Sequence, residues 1–219
     1  MAAIVSDIRG IIAEMKPPQG YATALEGTFR AQEQAMLRIG GLSLVSFGLV
    51  FVVLYSRYRS SVLAFIVMAG IPLALIGSVA ALKIAGQPLS VASMVGFITL
   101  AGIAARNGIL KISHYINLAL HEGEEFGRNL VIRGSLERLA PVYMTALSAS
   151  LALAPLLVGA SEAGREILHP VAVTIFGGLL SATVLDTLLT PVLFLSFGRE
   201  PLRRLTTIRS SRVETAEAY

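Results

Sequence analysis

Two charged residues lie inside long apolar stretches of the 219-residue sequence, and they are its strongest chemical signal. Arg106 follows the run VGFITLAGIAA, and Asp186 follows the run SATVL. A charged side chain at the centre of a bilayer costs about 2.5 kcal/mol or more, so such residues are rare and usually functional. Two interpretations stay open: a structural ion pair between Arg106 and Asp186, or a proton relay. In a relay the carboxylate would change its charge, because arginine keeps its proton in proteins.

A third polar residue, Thr145, is predicted to lie at a similar depth. At 1.5 Å per residue, Arg106 and Asp186 lie about 25 Å along their helices from the outer end, and Thr145 lies at a comparable distance. Helical spacing places Thr145 on one face with Arg138, and Asp186 on one face with Thr190. The sequence therefore indicates a buried polar layer between helices.

Metal ligands are harder to assign. The sequence has no Cys, and His114 and His121 are seven positions apart, which separates them by roughly 10 Å along a helix. Thioethers suit Cu(I), but buried methionines such as Met68, Met94 and Met144 more often serve as packing. The metal ligands therefore stay unknown. We expect no cofactor, because the sequence contains no P-loop or comparable motif.

The elements that must carry these residues are membrane-spanning helices. Hydrophobic residues make up 54% of the chain, charged residues make up 15%, and the mean hydropathy is +0.71. A soluble domain carries about 25% charged residues, so this class is excluded. Crossing a bilayer takes roughly 20 apolar residues. We predict an all-α membrane protein with five transmembrane helices in a bundle over 37–198, at about 37–56, 60–83, 89–118, 139–160 and 170–197.

Three further segments accompany the predicted spans. Residues 1–36 are too few to hold their own core, and we expect them to be the periplasmic remnant of a larger domain. Residues 123–137 mix apolar and charged side chains at helical spacing, which predicts an amphipathic helix on the cytoplasmic membrane face. Residues 199–219 form a predicted cytoplasmic tail.

The distribution of Lys and Arg predicts the orientation. The loops on one side of the predicted spans carry two basic residues, Lys83 and Arg165, whereas those on the other side carry eleven. Because short cytoplasmic loops are enriched in Lys and Arg, the richer side is cytoplasmic and the N-terminus is periplasmic. The eleven residues are Arg57, Arg59, Lys111, Arg128, Arg133, Arg138, Arg199, Arg203, Arg204, Arg209 and Arg212.

Three sequence runs resemble a known family. They are VGFITLAGIAARNGIL over 95–110, ERLAPVYMT over 137–145, and EILHPVAV over 166–173 followed by Gly177, Gly178 and the Leu185–Thr187 segment. The first two resemble the C-terminal membrane part of resistance–nodulation–division (RND) efflux pumps, and the third resembles the heavy-metal branch of CzcA/CusA type. The resemblance covers residues 20–205.

The resemblance implies a secondary active transporter rather than an enzyme. Such a pump is a homotrimer in the bacterial inner (plasma) membrane, driven by proton antiport, that works with a periplasmic adaptor and an outer-membrane channel. Each protomer has twelve membrane helices, of which this chain matches the last five, and residues 1–36 resemble the end of the periplasmic porter domain and its linker. The family's fourth helix, with its titrating carboxylates, has no counterpart here. We therefore expect the chain to be a fragment that is inactive alone.

The resemblance also suggests roles for individual residues. Arg106 falls where drug-exporting relatives have a lysine that pairs with carboxylates, and Arg138 and Thr145 fall on polar positions of the same proton relay. Asp186 and Asn107 are candidate intramembrane partners. Arginine keeps the positive charge of that lysine but does not titrate easily, so the expected role of Arg106 is that of a counter-ion.

Two other functions remain open at this stage. One is an RND exporter of hydrophobic drugs, and the other is a non-transporting membrane partner of a full-length pump. The transported metal is also open, with copper or silver on one side and zinc, cobalt or cadmium on the other.

Overall fold

Five long helices make up nearly all of the computed structural model, which describes residues 10–11, 28–158 and 167–204. They are α1 (Thr28–Tyr58), α2 (Ser61–Ile84), α3 (Val91–His121), α4 (Arg128–Leu157) and α5 (Leu168–Phe197). All five are long and apolar enough to cross a membrane, which confirms the predicted fold class. Most of the predicted porter remnant and residues 205–219 of the predicted tail lie outside the described residues.

The start of α4 differs from the prediction. The sequence indicated a separate surface helix over 123–137 and a span beginning at 139, but α4 runs without interruption from Arg128. Gly123 has a φ of +70°, a conformation that suits glycine and separates α3 from α4. Beyond it, Leu130 and Val131 are buried, and a Cβ at Gly134 would lie 2.6 Å from the Tyr115 ring. This close packing against α3 keeps the segment before Pro141 helical, so that α4 begins at Arg128.

Helix α5 lies at the centre of the bundle. It packs against α2, α3 and α4, and most extensively against α2. Small residues permit this approach, since a Cβ at Gly178 would overlap the side chains of Leu100 and Ser78. The Ser78 hydroxyl donates a hydrogen bond of 2.7 Å to the Thr174 carbonyl of α5. The small residues Gly177 and Ser181 also contact α2, so this stretch of α5 forms the α2–α5 contact.

Two apolar clusters form the core. One contains Tyr115 of α3 and Phe194 of α5, whose ring centroids are 4.8 Å apart. The other contains Leu100 of α3 and Leu179 of α5. Along both helices, a short polar stretch lies between the two clusters, and it holds the site described below.

Helices α1 and α4 are the least buried. Large apolar side chains such as Leu44 and Leu151 stay exposed along their outer faces. In a membrane these faces contact lipid or other protein, because neither face is covered by the described residues.

Candidate functional site

A buried ion pair joins α3 to α5. Lys111 Nζ lies 2.6 Å from Asp186 Oδ2, and the two side chains are only 4% and 9% exposed. The Thr190 hydroxyl, one turn after Asp186, donates a hydrogen bond to the other carboxylate oxygen. Both oxygens of Asp186 therefore have a donor, as a charge in a low-dielectric interior requires.

The helices pack tightly around this pair. A Cβ at Gly70 of α2 would lie 3.5 Å from Asp186 Oδ1, so the α2 backbone passes close to the carboxylate. Asn107, one turn before Lys111, is also buried. Thr183, one turn before Asp186, is buried and donates to the Leu179 carbonyl at 2.7 Å. The result is a polar layer enclosed by three helices.

Arg106 does not belong to this layer. Its side chain is exposed on the surface of the described bundle. Five residues rotate an α-helix by about 140°, so Arg106 and Lys111 point to different faces of α3. The structural ion pair considered between Arg106 and Asp186 is therefore wrong, since the carboxylate is paired with Lys111.

Arg138 and Thr145 are separate from the buried pair as well. The Nε atom of Arg138 is buried and has no hydrogen-bond partner among the described residues. Thr145 is exposed, and its hydroxyl donates to the Val142 carbonyl of its own helix at 2.9 Å. Within the described part of the chain, no hydrogen bond or ion pair connects Arg106, Arg138 and Thr145 with one another.

A second charged network connects α3 to α4 near the loop between them. His114 Nε2 lies 2.7 Å from Glu137 Oε2. Arg133 donates to Glu137 at 3.0 Å and to Glu124 at 2.8 Å, and it also pairs with Glu122. No group of three His, Cys, Asp or Glu side chains that could hold a metal ion comes together in ranges 28–158 and 167–204. The ion pairs join His114 of α3 to Glu137 of α4, and Glu122 and Glu124 at the connection to Arg133 of α4.

Lys111 is the residue that sequence reasoning missed. Its sequence position predicts a charge on the cytoplasmic side, whereas the structure buries it inside the bundle. A signal was present in the sequence, because Leu100, Ala104, Lys111 and Tyr115 recur at helical spacing on one buried face of α3. A lysine on that stripe needs a buried partner, and Asp186 is the buried acid of α5.

Comparison with known proteins agrees with this architecture. A model of the AcrB/AcrD/AcrF family matches residues 2–198. The cobalt-zinc-cadmium resistance protein CzcA of Cupriavidus metallidurans is 39% identical over 184 residues, which cover 84% of this chain and 17% of CzcA. The nickel and cobalt resistance protein CnrA of the same organism is 37% identical over 194 residues, covering 88% of this chain and 18% of CnrA.

A solved structure shows the same fold. The crystal structure of a heavy metal efflux pump superposes with a TM-score of 0.72 at 32% identity, covering 89% of this chain and 19% of that one. The chain thus spans under one fifth of the length of these relatives. With five membrane-type helices, an intramembrane charge layer and these matches, the chain belongs to the AcrB/AcrD/AcrF family of RND efflux permeases and is similar to its heavy-metal members.

Proposed function

We propose that the chain forms a five-helix part of a proton-driven inner-membrane pump that exports heavy-metal cations. The similarity to CzcA and CnrA, whose names refer to resistance to cobalt, zinc, cadmium and nickel, supports the metal substrate. The proposal includes a homotrimer with a periplasmic adaptor and an outer-membrane channel. It also includes a periplasmic N-terminus and a cytoplasmic C-terminus.

The observation that supports proton coupling is the position of Arg106. It is the central residue of α3, fifteen positions from each end, and it lies on the bundle surface. A guanidinium facing lipid inside the hydrocarbon core would be costly. This face of α3 therefore requires an anionic partner that the described helices do not provide.

The same reasoning gives Arg106 a role in coupling. A positive charge close to a carboxylate favours its ionised form, so Arg106 would promote proton release from carboxylates elsewhere in the pump. Arg138 on α4, with its unsatisfied Nε atom, is a second group that calls for an acceptor outside the described residues. In this proposal Arg106, Arg138 and Thr145 contribute to the proton relay, and arginine acts as a fixed counter-ion.

The test uses a hybrid pump in which residues 28–204 replace the corresponding segment of CzcA. Zinc uptake driven by an imposed pH gradient is measured in inverted vesicles. We expect Arg106→Ala to stop transport and Arg106→Lys to retain part of it, because lysine preserves the charge but not the planar guanidinium geometry. Arg128→Ala, at the exposed start of α4, is the matched control and should transport at the rate of the parent hybrid.

If a folded, trimeric Arg106→Ala hybrid transports zinc at the rate of the parent hybrid, Arg106 has no role in the relay. If the parent hybrid folds and assembles but moves no zinc, cobalt, nickel or cadmium, the metal part of the proposal fails.

A further inference from the structure

An apolar groove and a polar pocket meet at Val62 on one side of the bundle. The groove has a volume of about 700 Å³ and lies between α1, α2 and α5, with Phe47, Phe65, Leu75 and Phe197 in its walls. We call it the α2 groove. The adjoining pocket, of about 430 Å³, lies at the α1–α2 turn. We call it the arginine pocket, and the argument uses its residues Tyr55, Arg59, Ser60, Glu200 and Arg204.

The α2 groove has the length of a lipid chain. Val62 and Leu75 both line it, and the thirteen residues from one to the other correspond to about 20 Å of helix. One leaflet contributes about 15 Å to the hydrocarbon core of a bilayer. An acyl chain of a single leaflet therefore fits along the groove, with its polar end at Val62.

The arginine pocket suits an anionic head group. Arg59 and Arg204 are exposed, and none of the ion pairs among the described residues joins either of them to Glu200. With one glutamate against two arginines, the pocket keeps a net positive charge. Basic pockets between membrane helices bind anionic lipid head groups, and tyrosines such as Tyr55 favour the head-group level.

The backbone at Arg59 provides an independent observation. Its φ is +50°, in the left-handed region. No other non-glycine residue in the described ranges 28–158 and 167–204 has a positive φ. Such conformations are unfavourable for ordinary residues and are concentrated at ligand-binding and functional positions. Here the left-handed turn places Arg59 in the arginine pocket that adjoins the groove.

We infer that the α2 groove and the arginine pocket together bind one anionic phospholipid. One of its two acyl chains occupies the groove, and its phosphate lies between Arg59 and Arg204. This site is separate from the Lys111–Asp186 pair and does not depend on the transported substrate.

The chain has no Trp, so a single introduced tryptophan reports one position without background. Phe65→Trp places the reporter in the α2 groove, and Leu151→Trp, on the exposed face of α4, is the matched control. The full chain is reconstituted in phosphatidylcholine vesicles with a small fraction of brominated phosphatidylglycerol or brominated phosphatidylcholine. Far-UV circular dichroism checks the helix content of every variant, and Phe197→Trp serves as a second groove reporter.

We expect brominated phosphatidylglycerol to quench the groove reporter at a lower mole fraction than brominated phosphatidylcholine. The two mole fractions should differ by about fivefold for each arginine that contributes to binding. The Leu151→Trp reporter should show no such preference. Combining Arg59→Gln with Arg204→Gln should abolish the preference at the groove, whereas Arg128→Gln should leave it intact. Equal quenching by the two lipids at Phe65→Trp would mean ordinary annular lipid, and a lack of quenching by either would mean that protein fills the groove. Each of these results would overturn the inference.

Discussion

Removing one member of the Lys111–Asp186 pair should cost far more stability than removing both. The pair lies between two apolar clusters, with its side chains 4% and 9% exposed. Lys111→Met leaves the Asp186 carboxyl group with the Thr190 hydroxyl as its described partner, and Asp186→Asn leaves the buried Lys111 amino group without its carboxylate. Breaking a buried pair in this way costs about 3–5 kcal/mol, whereas replacing both members is often close to neutral.

These values define a double-mutant cycle. If each single variant loses about 4 kcal/mol and the double variant loses about 1 kcal/mol, the coupling energy is roughly 7 kcal/mol of unfolding free energy. The ratio of folded to unfolded chain would fall by about a thousandfold in each single variant and by about fivefold in the double variant. Both substitutions conserve volume, so cavity formation contributes little.

The assay is reversible unfolding of the chain in mixed micelles, with increasing sodium dodecyl sulfate and detection by far-UV circular dichroism. Lys83→Met is the matched control, because Lys83 is exposed in the last turn of α2 and should contribute less than about 1 kcal/mol. Additive effects, in which the double variant loses the sum of the two single losses, would refute the reasoning. The two side chains would then not form the buried pair that the structure shows.

The remaining predictions concern topology, packing and autonomy. Alkaline phosphatase fused after Ala85 should be active and after Glu200 inactive, because the loop charges put the first site outside and the second inside; activity at Glu200 would reverse the orientation. Gly178→Ala should destabilise the chain by about 1–3 kcal/mol in the same micelle assay, since its Cβ would overlap Leu100 and Ser78. Gly102→Ala, where a Cβ meets nothing within 4 Å, should be neutral or slightly stabilising, so equal effects at both glycines would contradict the packing argument. Expression of the chain alone should give no zinc or cobalt resistance in a strain without its own exporter, and restored growth on either metal would disprove this dependence.

The spans were predictable because their signal is local. Each helix carries enough consecutive apolar residues to be recognised without knowledge of its neighbours. The prediction of the spans therefore depends on composition and spacing within one segment.

The buried pair was not predictable in the same way. Lys111 and Asp186 are 75 positions apart, and their contact depends on how α3 and α5 rotate and shift relative to one another. A difference of five residues along α3 decides whether Arg106 or Lys111 faces α5, and apolar content does not determine that rotation. The start of α4 was missed for a related reason: Pro141 and the charges before it suggested a boundary, whereas packing of Gly134 against Tyr115 keeps the segment helical.

The enclosed position of the Lys111–Asp186 pair has a mechanical consequence. Sliding α5 by one helical turn, about 5.4 Å, would separate the ammonium from the carboxylate and leave each buried without its opposite charge. The same displacement would move Gly178 away from Leu100 and Ser78, the side chains that it accommodates. Helices α2, α3 and α5 are therefore locked in both axial position and rotation and should move as one rigid body. Helices α1 and α4 contribute no residue to the buried pair, so a shift of either helix would leave that pair intact.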